Sequence, residues 1–251
     1  METLKAFILL SVLFTLSSCA LKPEKKKEDA SASIHYKMAE VHFSEKNYTS
    51  ALSELTKAVE IYPGDAPSQH LLGLTYHAKG MYNEAAAHLE KAVYLNPQNA
   101  EARVNLGVVY LEMQKWDEAI PHFNAALEDV FYRTPEIARY NLGSAYYGKG
   151  DYAKAAENFR KAVELAPRNA IAYSSLGQAY DKLNMTDDAV DAYRKAISIE
   201  PLFTNAYHNL GMALLKKKDK AGALKAFEKV VELDPGSDKA RSAREYIELL
   251  K

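Results

Sequence analysis

Small and apolar residues recur along the chain at the spacing of paired amphipathic helices. In the stretch from Ala138 to Pro167, the small residues Gly143, Ala155 and Ala162 fall where two such helices would cross closely. The large residues that would fill the space beside them are Leu142, Tyr146, Phe159 and Val163. Gly150 interrupts the pattern between the helices and Pro167 ends it, because neither residue suits a helix interior. The stretch therefore predicts one helix–turn–helix hairpin.

Six copies of this hairpin follow one another in phase. Five of them end in proline, at Pro63, Pro97, Pro167, Pro201 and Pro235, with steps of 34, 70, 34 and 34 residues, and Phe131 stands where the missing proline would fall. The small residue of each first helix recurs as Ala39, Gly73, Gly107, Gly143, Gly177 and Gly211, and that of each second helix as Ala51, Ala85, Ala119, Ala155, Ala189 and Ala223. A long coiled coil, the alternative interpretation, needs a seven-residue apolar repeat and no periodic glycine or proline.

This period of about 34 residues resembles that of the tetratricopeptide repeat. The resemblance implies an all-α fold, a right-handed α-solenoid of about six helix–turn–helix repeats with a C-terminal capping helix. The expected boundaries are residues 32–65, 66–99, 100–135, 136–169, 170–203 and 204–237 for the repeats and 238–250 for the capping helix. Because each repeat contacts only its neighbours, a chain of 251 residues then needs no single large core.

The junction between the third and fourth hairpins departs from the pattern. Between Ala126 and Gly143 it has two extra residues and no closing proline. Thr134-Pro135 supplies a new N-cap and a proline at the first helical position. Pro121, near the start of the preceding helix, predicts a mild kink rather than a break.

Helix ends and the C-terminal stripe are also indicated by residue type. Asp65, Asn99 and Ser237 have side chains that cap helix N-termini, and Gly80 permits a left-handed turn between helices. The apolar stripe of the capping helix is Ala240, Ala243, Ile247 and Leu250. Such an amphipathic closing helix is what the end of a solenoid requires.

The N-terminus predicts export and lipidation. Lys5 precedes an apolar run from Ala6 to Leu16, which is too short to span a bilayer, and Cys19 just beyond it is the only cysteine. This arrangement resembles a bacterial lipobox, which implies removal of a signal peptide, residues 1–18, and acylation of Cys19. An ordinary secretory signal with an incidental cysteine is the alternative. Residues 19–31 lack apolar periodicity and are expected to form a flexible tether.

The residue after the cysteine bears on location. Ala20 stands where sorting-avoidance signals carry aspartate. By that resemblance the chain is expected at the bacterial outer membrane, lipid-anchored and facing the periplasm.

The sequence contains no recognisable catalytic constellation. It has no HExxH, glycine-rich phosphate loop or GxSxG motif, so we expect neither an enzyme nor a cofactor. His70 and His77 share a helical face without a neighbouring carboxylate, which favours a packing or partner surface over a metal site. The net charge is −1 and no clustered basic face is seen, which argues against a nucleic-acid partner.

According to the family resemblance, the first helices of the hairpins line a concave groove that binds a protein partner. Carrying the family's groove positions onto this chain gives Tyr36, Glu40, Phe43, His70, Leu74, His77, Val104, Val108, Leu111, Tyr140, Ser144, Tyr147, Ser174, Gln178, Asp181, His208, Met212 and Leu215. The middle of this set is apolar and aromatic, as a protein-binding surface would be if exposed. Val104, Val108 and Leu111 have an alternative interpretation as core residues.

One known groove type, the carboxylate clamp of chaperone-binding members, is incomplete in this chain. Asn105, Asn141 and Asn209 match its asparagines, but the matching basic positions hold His70, Ile137 and Tyr140. Capture of a free C-terminal carboxylate is therefore not expected. An extended or helical apolar segment fits the groove better.

Lipobox, short tether, six hairpins and the irregular junction together resemble the type IV pilus biogenesis lipoproteins that act as pilotins for the outer-membrane secretin. The resemblance implies a non-catalytic assembly factor that binds secretin subunits or other pilus assembly proteins and meets the membrane through its lipid. The alternative is a general periplasmic adaptor for cell-wall hydrolases or an envelope export machine. An enzyme with a site hidden in the groove is a third hypothesis.

Overall fold

The computed structural model describes residues 23–251, with side chains from residue 30 onward. This part of the chain is all α-helical and contains no strand, as the periodicity predicts. Its thirteen helices are α1 (Pro23–Ser44), α2 (Tyr48–Ile61), α3 (Ala66–Ala78), α4 (Tyr82–Leu95), α5 (Ala100–Glu112), α6 (Trp116–Leu127), α7 (Pro135–Lys149), α8 (Tyr152–Leu165), α9 (Ala170–Lys182), α10 (Thr186–Ile199), α11 (Thr204–Lys216), α12 (Lys220–Leu233) and α13 (Asp238–Leu250). None of them combines the length and apolar character needed to cross a bilayer. The predicted signal peptide and lipidation site at Cys19 lie outside the described residues.

The helices form consecutive antiparallel pairs, and the chain divides into two compact units, the first ending at Pro97. In the first unit α1 packs on α2, α2 on α3 and α3 on α4. In the second unit each helix from α5 to α13 packs on the next one, and α9 also contacts α11. Each hairpin thus has a first helix, odd-numbered from α1 to α11, and a second helix, even-numbered from α2 to α12.

Helix α1 begins earlier than the sequence pattern indicates. The prediction of a flexible tether over residues 19–31 is wrong from Pro23 onward, because α1 starts there. Lys, Glu and Ala have high helix propensity, and proline is well suited to the first helical position. A helix that is already packed further along therefore extends through this charged stretch without any apolar periodicity.

Glycine marks the point where the two helices of a hairpin cross, as predicted. A Cβ atom placed on Gly177 would lie 2.6 Å from Cε1 of Tyr193, closer than real Cβ atoms approach a neighbour. The equivalent pairs are Gly73 with Leu89, Gly107 with Phe123, Gly143 with Phe159 and Gly211 with Phe227, at 2.6 or 2.7 Å. A large ring or Leu side chain of the second helix thus lies directly on the glycine backbone, and the predicted register is confirmed.

The turns within the hairpins use a left-handed residue. Gly80 has φ 73°, as predicted, and Gly150 has φ 87°. The same place in the other four hairpins is taken by non-glycine residues with positive φ, namely Lys46, Gln114, Asn184 and Lys218. An L-residue in this conformation costs roughly 1–2 kcal/mol, so these four turns carry local strain that the flanking helices hold in place.

Three of the predicted N-caps are made by side chains. Asp65 accepts a hydrogen bond from the N–H of Ser68, Asn99 from that of Ala102 and Ser237 from that of Ala240. Thr134 occupies the N-cap position before Pro135, but its side chain makes no capping hydrogen bond. The helix α6 continues through Pro121 without a break, as predicted.

A buried carboxylate lies between the first two helices of the first unit. Glu54 is 8% exposed, and its two oxygens lie 2.5 Å from Nδ1 of His35 and 2.6 Å from Nζ of Lys57. The hydrogen bonds from Lys57 and then His35 hold the pKa of Glu54 below its usual value. The His35 contact joins α1 to α2, whereas Lys57 lies one turn from Glu54 on α2 itself.

The second unit ends in the predicted capping helix. Ala240 and Ala243 of α13 are fully buried, and Ile247 and Leu250 pack against the same apolar cluster. Tyr246 stacks on Phe227, with ring centroids 4.9 Å apart. The apolar stripe of α13 therefore covers the last hairpin.

Candidate protein-binding surface

All six predicted groove residues of the first unit reach solvent. Glu40 is exposed, and the half-buried ones are Tyr36, Phe43, His70, Leu74 and His77. Leu74 packs against the cluster formed by Ala39, Leu55, Leu71 and Leu72, while His70 remains half-buried. His77 lies beside Tyr82, with ring centroids 5.8 Å apart. Burial and the neighbouring Glu40 raise the pKa of Tyr36 to about 12, so this phenol stays neutral at any physiological pH.

In the second unit two residues predicted to line the groove are buried. Val104 is only 4% exposed and Ser174 only 3%, so both belong mainly to the core. They lie at the same position of their hairpins, where the first helix meets its neighbours. Val108 and Leu111 are half-buried. The alternative interpretation, that these three apolar residues belong to the core, is therefore correct for Val104 and partly correct for Val108 and Leu111.

The remaining predicted residues of this unit form a row of half-buried side chains on the first helices. Tyr140 contacts Phe159 with ring centroids 5.6 Å apart, and Tyr147 contacts Tyr152 at 5.2 Å. Met212 and Leu215 pack against the apolar cluster of the last two hairpins. The other members of the row, also half-buried, are Ser144, Gln178, Asp181 and His208.

A polar pocket lies where the first helices α7, α9 and α11 meet the second helix α10. Its volume is about 320 Å³, and it is lined by Tyr147, Gln178, Asp181, Lys182, Tyr193, Asn209 and Lys216. Asp181 accepts a hydrogen bond from the hydroxyl of Tyr193 at 2.8 Å and another from Nζ of Lys216 at 2.8 Å. Burial and this carboxylate together raise the pKa of Tyr193. We call this site the polar pocket.

The irregular junction forms a second feature of the second unit. The connection between α6 and α7 runs from Glu128 to Thr134 and exposes Val130 and Phe131, each 87% accessible. Ile137 at the start of α7 is exposed as well. A pocket of about 530 Å³ lies between this connection and α5, lined in part by Phe131, Tyr132 and Ile137. We call Val130, Phe131 and Ile137 the junction patch.

Neither feature contains a cluster of metal-ligating side chains among the residues that the structure describes. No group of three or more His, Cys, Asp or Glu side chains is placed to coordinate a metal ion there. What the two features offer is apolar surface beside hydrogen-bonding side chains. This combination suits recognition of another polypeptide.

Profiles of the tetratricopeptide repeat match residues 32–65, 73–114, 98–168, 133–199 and 204–237. The solved structure of MamA is 30% identical over 70% of this chain and 98% of its own, with a TM-score of 0.61. The chain belongs to the tetratricopeptide repeat family. No curated protein sequence matches it.

Two further tetratricopeptide-like structures cover more of the chain at lower identity. PilF of Pseudomonas aeruginosa is 19% identical over 87% of this chain and 99% of its own, with a TM-score of 0.73. PilW is 18% identical over 85% of this chain and 98% of its own, with a TM-score of 0.76. At these identities the likeness establishes the shared fold.

The tetratricopeptide pattern leads to three groove residues of the polar pocket, Tyr147, Gln178 and Asp181, and to Asn209 at the clamp's asparagine position, but not to Lys182, Tyr193 or Lys216. Tyr193 falls in the register of the ring that covers the helix-crossing glycine, where a core role is expected. Its distinguishing signal is the hydroxyl, since the same place holds Phe123, Phe159 or Phe227 in three other hairpins. Lys182 and Lys216 lie at the ends of their helices and read as ordinary solvated lysines.

Proposed function

We propose that this chain is a non-catalytic protein-binding scaffold, lipid-anchored at the periplasmic face of the bacterial outer membrane, which assists assembly of a type IV pilus secretin. The tetratricopeptide repeat is a protein-interaction fold, so a protein partner is the starting expectation. The finer role is supported by three separate observations.

The observation that carries the protein-binding role is the junction patch. Scattered single apolar residues are ordinary on protein surfaces, but Val130 and Phe131 are adjacent and 87% exposed each. Ile137 and a pocket of about 530 Å³ adjoin them. Keeping two large apolar side chains in water costs free energy that a partner covering them would recover, at roughly 25 cal/mol per Å² of apolar area.

The pilus role is supported by the likeness to PilW, a type IV pilus biogenesis factor, over 98% of that protein's length. The irregular junction supports it too, because it resembles the third-to-fourth repeat junction of the pilotin lipoproteins. The anchor is supported by the lipobox-like segment ending at Cys19. Several acyl chains would hold the chain stably, since each buried methylene contributes roughly 0.8 kcal/mol.

The test is complementation in a strain that lacks the gene. The secretin should remain monomeric in the deletion strain, and the wild-type gene should restore multimers on a denaturing gel. The Val130→Ser/Phe131→Ser protein should restore them poorly, whereas Leu202→Ser, which alters an exposed apolar residue at another turn of the same unit, should restore them fully. Normal secretin multimers in the deletion strain would refute the pilotin role.

Anchoring is tested with Cys19→Ser. This variant should be lost from the outer-membrane fraction and incorporate no labelled palmitate, whereas the wild-type protein should stay in that fraction and incorporate the label. If the wild-type protein incorporates no label, the lipid anchor is refuted. A photocrosslinker at Tyr140, on the partly exposed row of first-helix residues, should capture secretin; specific capture of a cell-wall hydrolase or an export component would favour the adaptor role instead.

A further inference from the structure

The polar pocket has a charge balance that the proposed scaffold role does not explain. Both oxygens of Asp181 are engaged, because one accepts a hydrogen bond from Tyr193 and the other from Lys216, each at 2.8 Å. Tyr193 is 1% exposed, so this carboxylate is pinned to the core of its own hairpin. Asp181 therefore positions Lys216 at the pocket, and its negative charge is already paired with that lysine.

Lys182 is the second cation of the pocket. Its Nζ lies 5.9 Å from the ring centroid of Tyr152, and no described carboxylate lies within salt-bridge distance of it. Two lysines against one carboxylate leave a positive charge unbalanced at the pocket. Both lysines are solvent-exposed, so this excess charge attracts an anion with the modest strength of a surface ion pair.

The neutral side chains of the pocket narrow the choice of anion. Gln178 on α9 and Asn209 on α11 are half-buried and line the pocket. Each amide can donate to a carboxylate oxygen and also pair with a peptide group, which has one donor and one acceptor. A phosphate dianion suits the site less well, because Asp181 would repel its second charge and the unbalanced charge is only that of one lysine.

We propose that the polar pocket binds the carboxylate side chain of an aspartate or glutamate in an extended segment of the partner protein. The inference rests on the proposed protein-binding role and adds the chemistry of one contact to it. Lys182 and Lys216 neutralise the carboxylate. Gln178 and Asn209 hold the peptide groups beside it. A free C-terminus is not required, in keeping with the incomplete carboxylate clamp.

The test is a titration of the ¹⁵N-labelled protein, followed by NMR, with N-acetyl-Gly-Glu-Gly-amide and with the matching Gly-Gln-Gly peptide. The glutamate peptide should shift the side-chain amide resonances of Gln178 and Asn209, and the glutamine peptide should not. Lys182→Gln should weaken binding of the glutamate peptide about two- to five-fold, as for a partly exposed ion pair. Lys195→Gln, an exposed lysine on α10 outside the pocket, is the matched control and should change nothing.

Three results would overturn the inference. They are equal shifts with the glutamine peptide, unchanged binding by the Lys182→Gln protein, and saturation of the same resonances by inorganic phosphate at lower concentration than by the glutamate peptide. The complementation experiment is independent of this one. Normal secretin assembly in the deletion strain would remove the pilotin role and leave the pocket standing, whereas absent peptide binding would remove the pocket and leave that role in place.

Discussion

Replacing Gly177 by alanine should test how tightly the two helices of a hairpin are locked together. The added methyl carbon would lie 2.6, 2.8 and 2.9 Å from Cε1, Cδ1 and Cζ of Tyr193. Since an ordinary contact needs at least 3.4 Å, the ring must move by close to 1 Å. The ring is buried and its hydroxyl is held by Asp181 at 2.8 Å, so it is restrained at both ends.

The size of the effect follows from three opposing contributions. Overpacking a buried site costs roughly 1–3 kcal/mol. Losing a hydrogen bond to a charged carboxylate costs roughly 1.5–3 kcal/mol if the ring moves out of reach. Alanine has a helix propensity about 1 kcal/mol better than glycine, which offsets part of this. We expect a net loss of about 2–3 kcal/mol in the free energy of unfolding of this hairpin.

Hydrogen exchange of the amides of α9 and α10, read alongside a urea melt, measures this loss locally, which matters because repeat proteins need not unfold in one step. Gly236→Ala is the control, since a Cβ atom there meets nothing within 4 Å. In a Tyr193→Phe background the ring is no longer held by Asp181, so Gly177→Ala should cost about 1 kcal/mol less. Unchanged protection in Gly177→Ala would show that the crossing is not tight.

Three further predictions concern turns, caps and pH. Gln114→Gly should raise the free energy of unfolding by roughly 0.5–1 kcal/mol, because Gln114 has φ 57° and glycine adopts this conformation without strain. The urea midpoint should rise accordingly, and a lower midpoint would contradict the prediction. Asn169→Ala should cost about 1 kcal/mol in the same assay, because the Asn169 side chain caps α9, whereas Thr134→Ala should cost little, since Thr134 makes no capping bond; equal losses would be inconsistent with this. The lowered pKa of Glu54 means that its stabilisation of the first unit is present above the usual glutamate pKa of about 4.3 and is lost as pH falls through its folded value. The protection factors of the α1 and α2 amides, which are corrected for the intrinsic pH dependence of exchange, should therefore fall in acid. Glu54→Gln should flatten that dependence, and parallel pH profiles of the two proteins would refute the assignment.

The positions of the helices and of their crossings could be predicted from the sequence alone. A small residue at each crossing, glycine in five hairpins and Ala39 in the first, is followed sixteen residues later by a large side chain. This spacing favours a close helix pair and is independent of what lies further along the chain. The caps at Asp65, Asn99 and Ser237 were predictable for the same reason, because a cap involves a side chain and a backbone N–H three residues on. The helical state of residues 23–31 was missed because the pattern sought apolar periodicity, whereas propensity and a packed continuation were enough to form the helix.

Tertiary structure decided how far each side chain reaches solvent and which side chains meet. Val104 and Ser174 occupy the same register as Tyr140 and His208, yet they are buried while the others are not, because exposure depends on the side chains of neighbouring hairpins. The polar pocket likewise joins Asp181, Tyr193 and Lys216 from three helices. The hydrogen bond from Tyr193 to Asp181 and the ion pair between Lys216 and Asp181 each form at 2.8 Å. The packing of α9, α10 and α11 sets these distances, and the spacing of the residues along the chain does not.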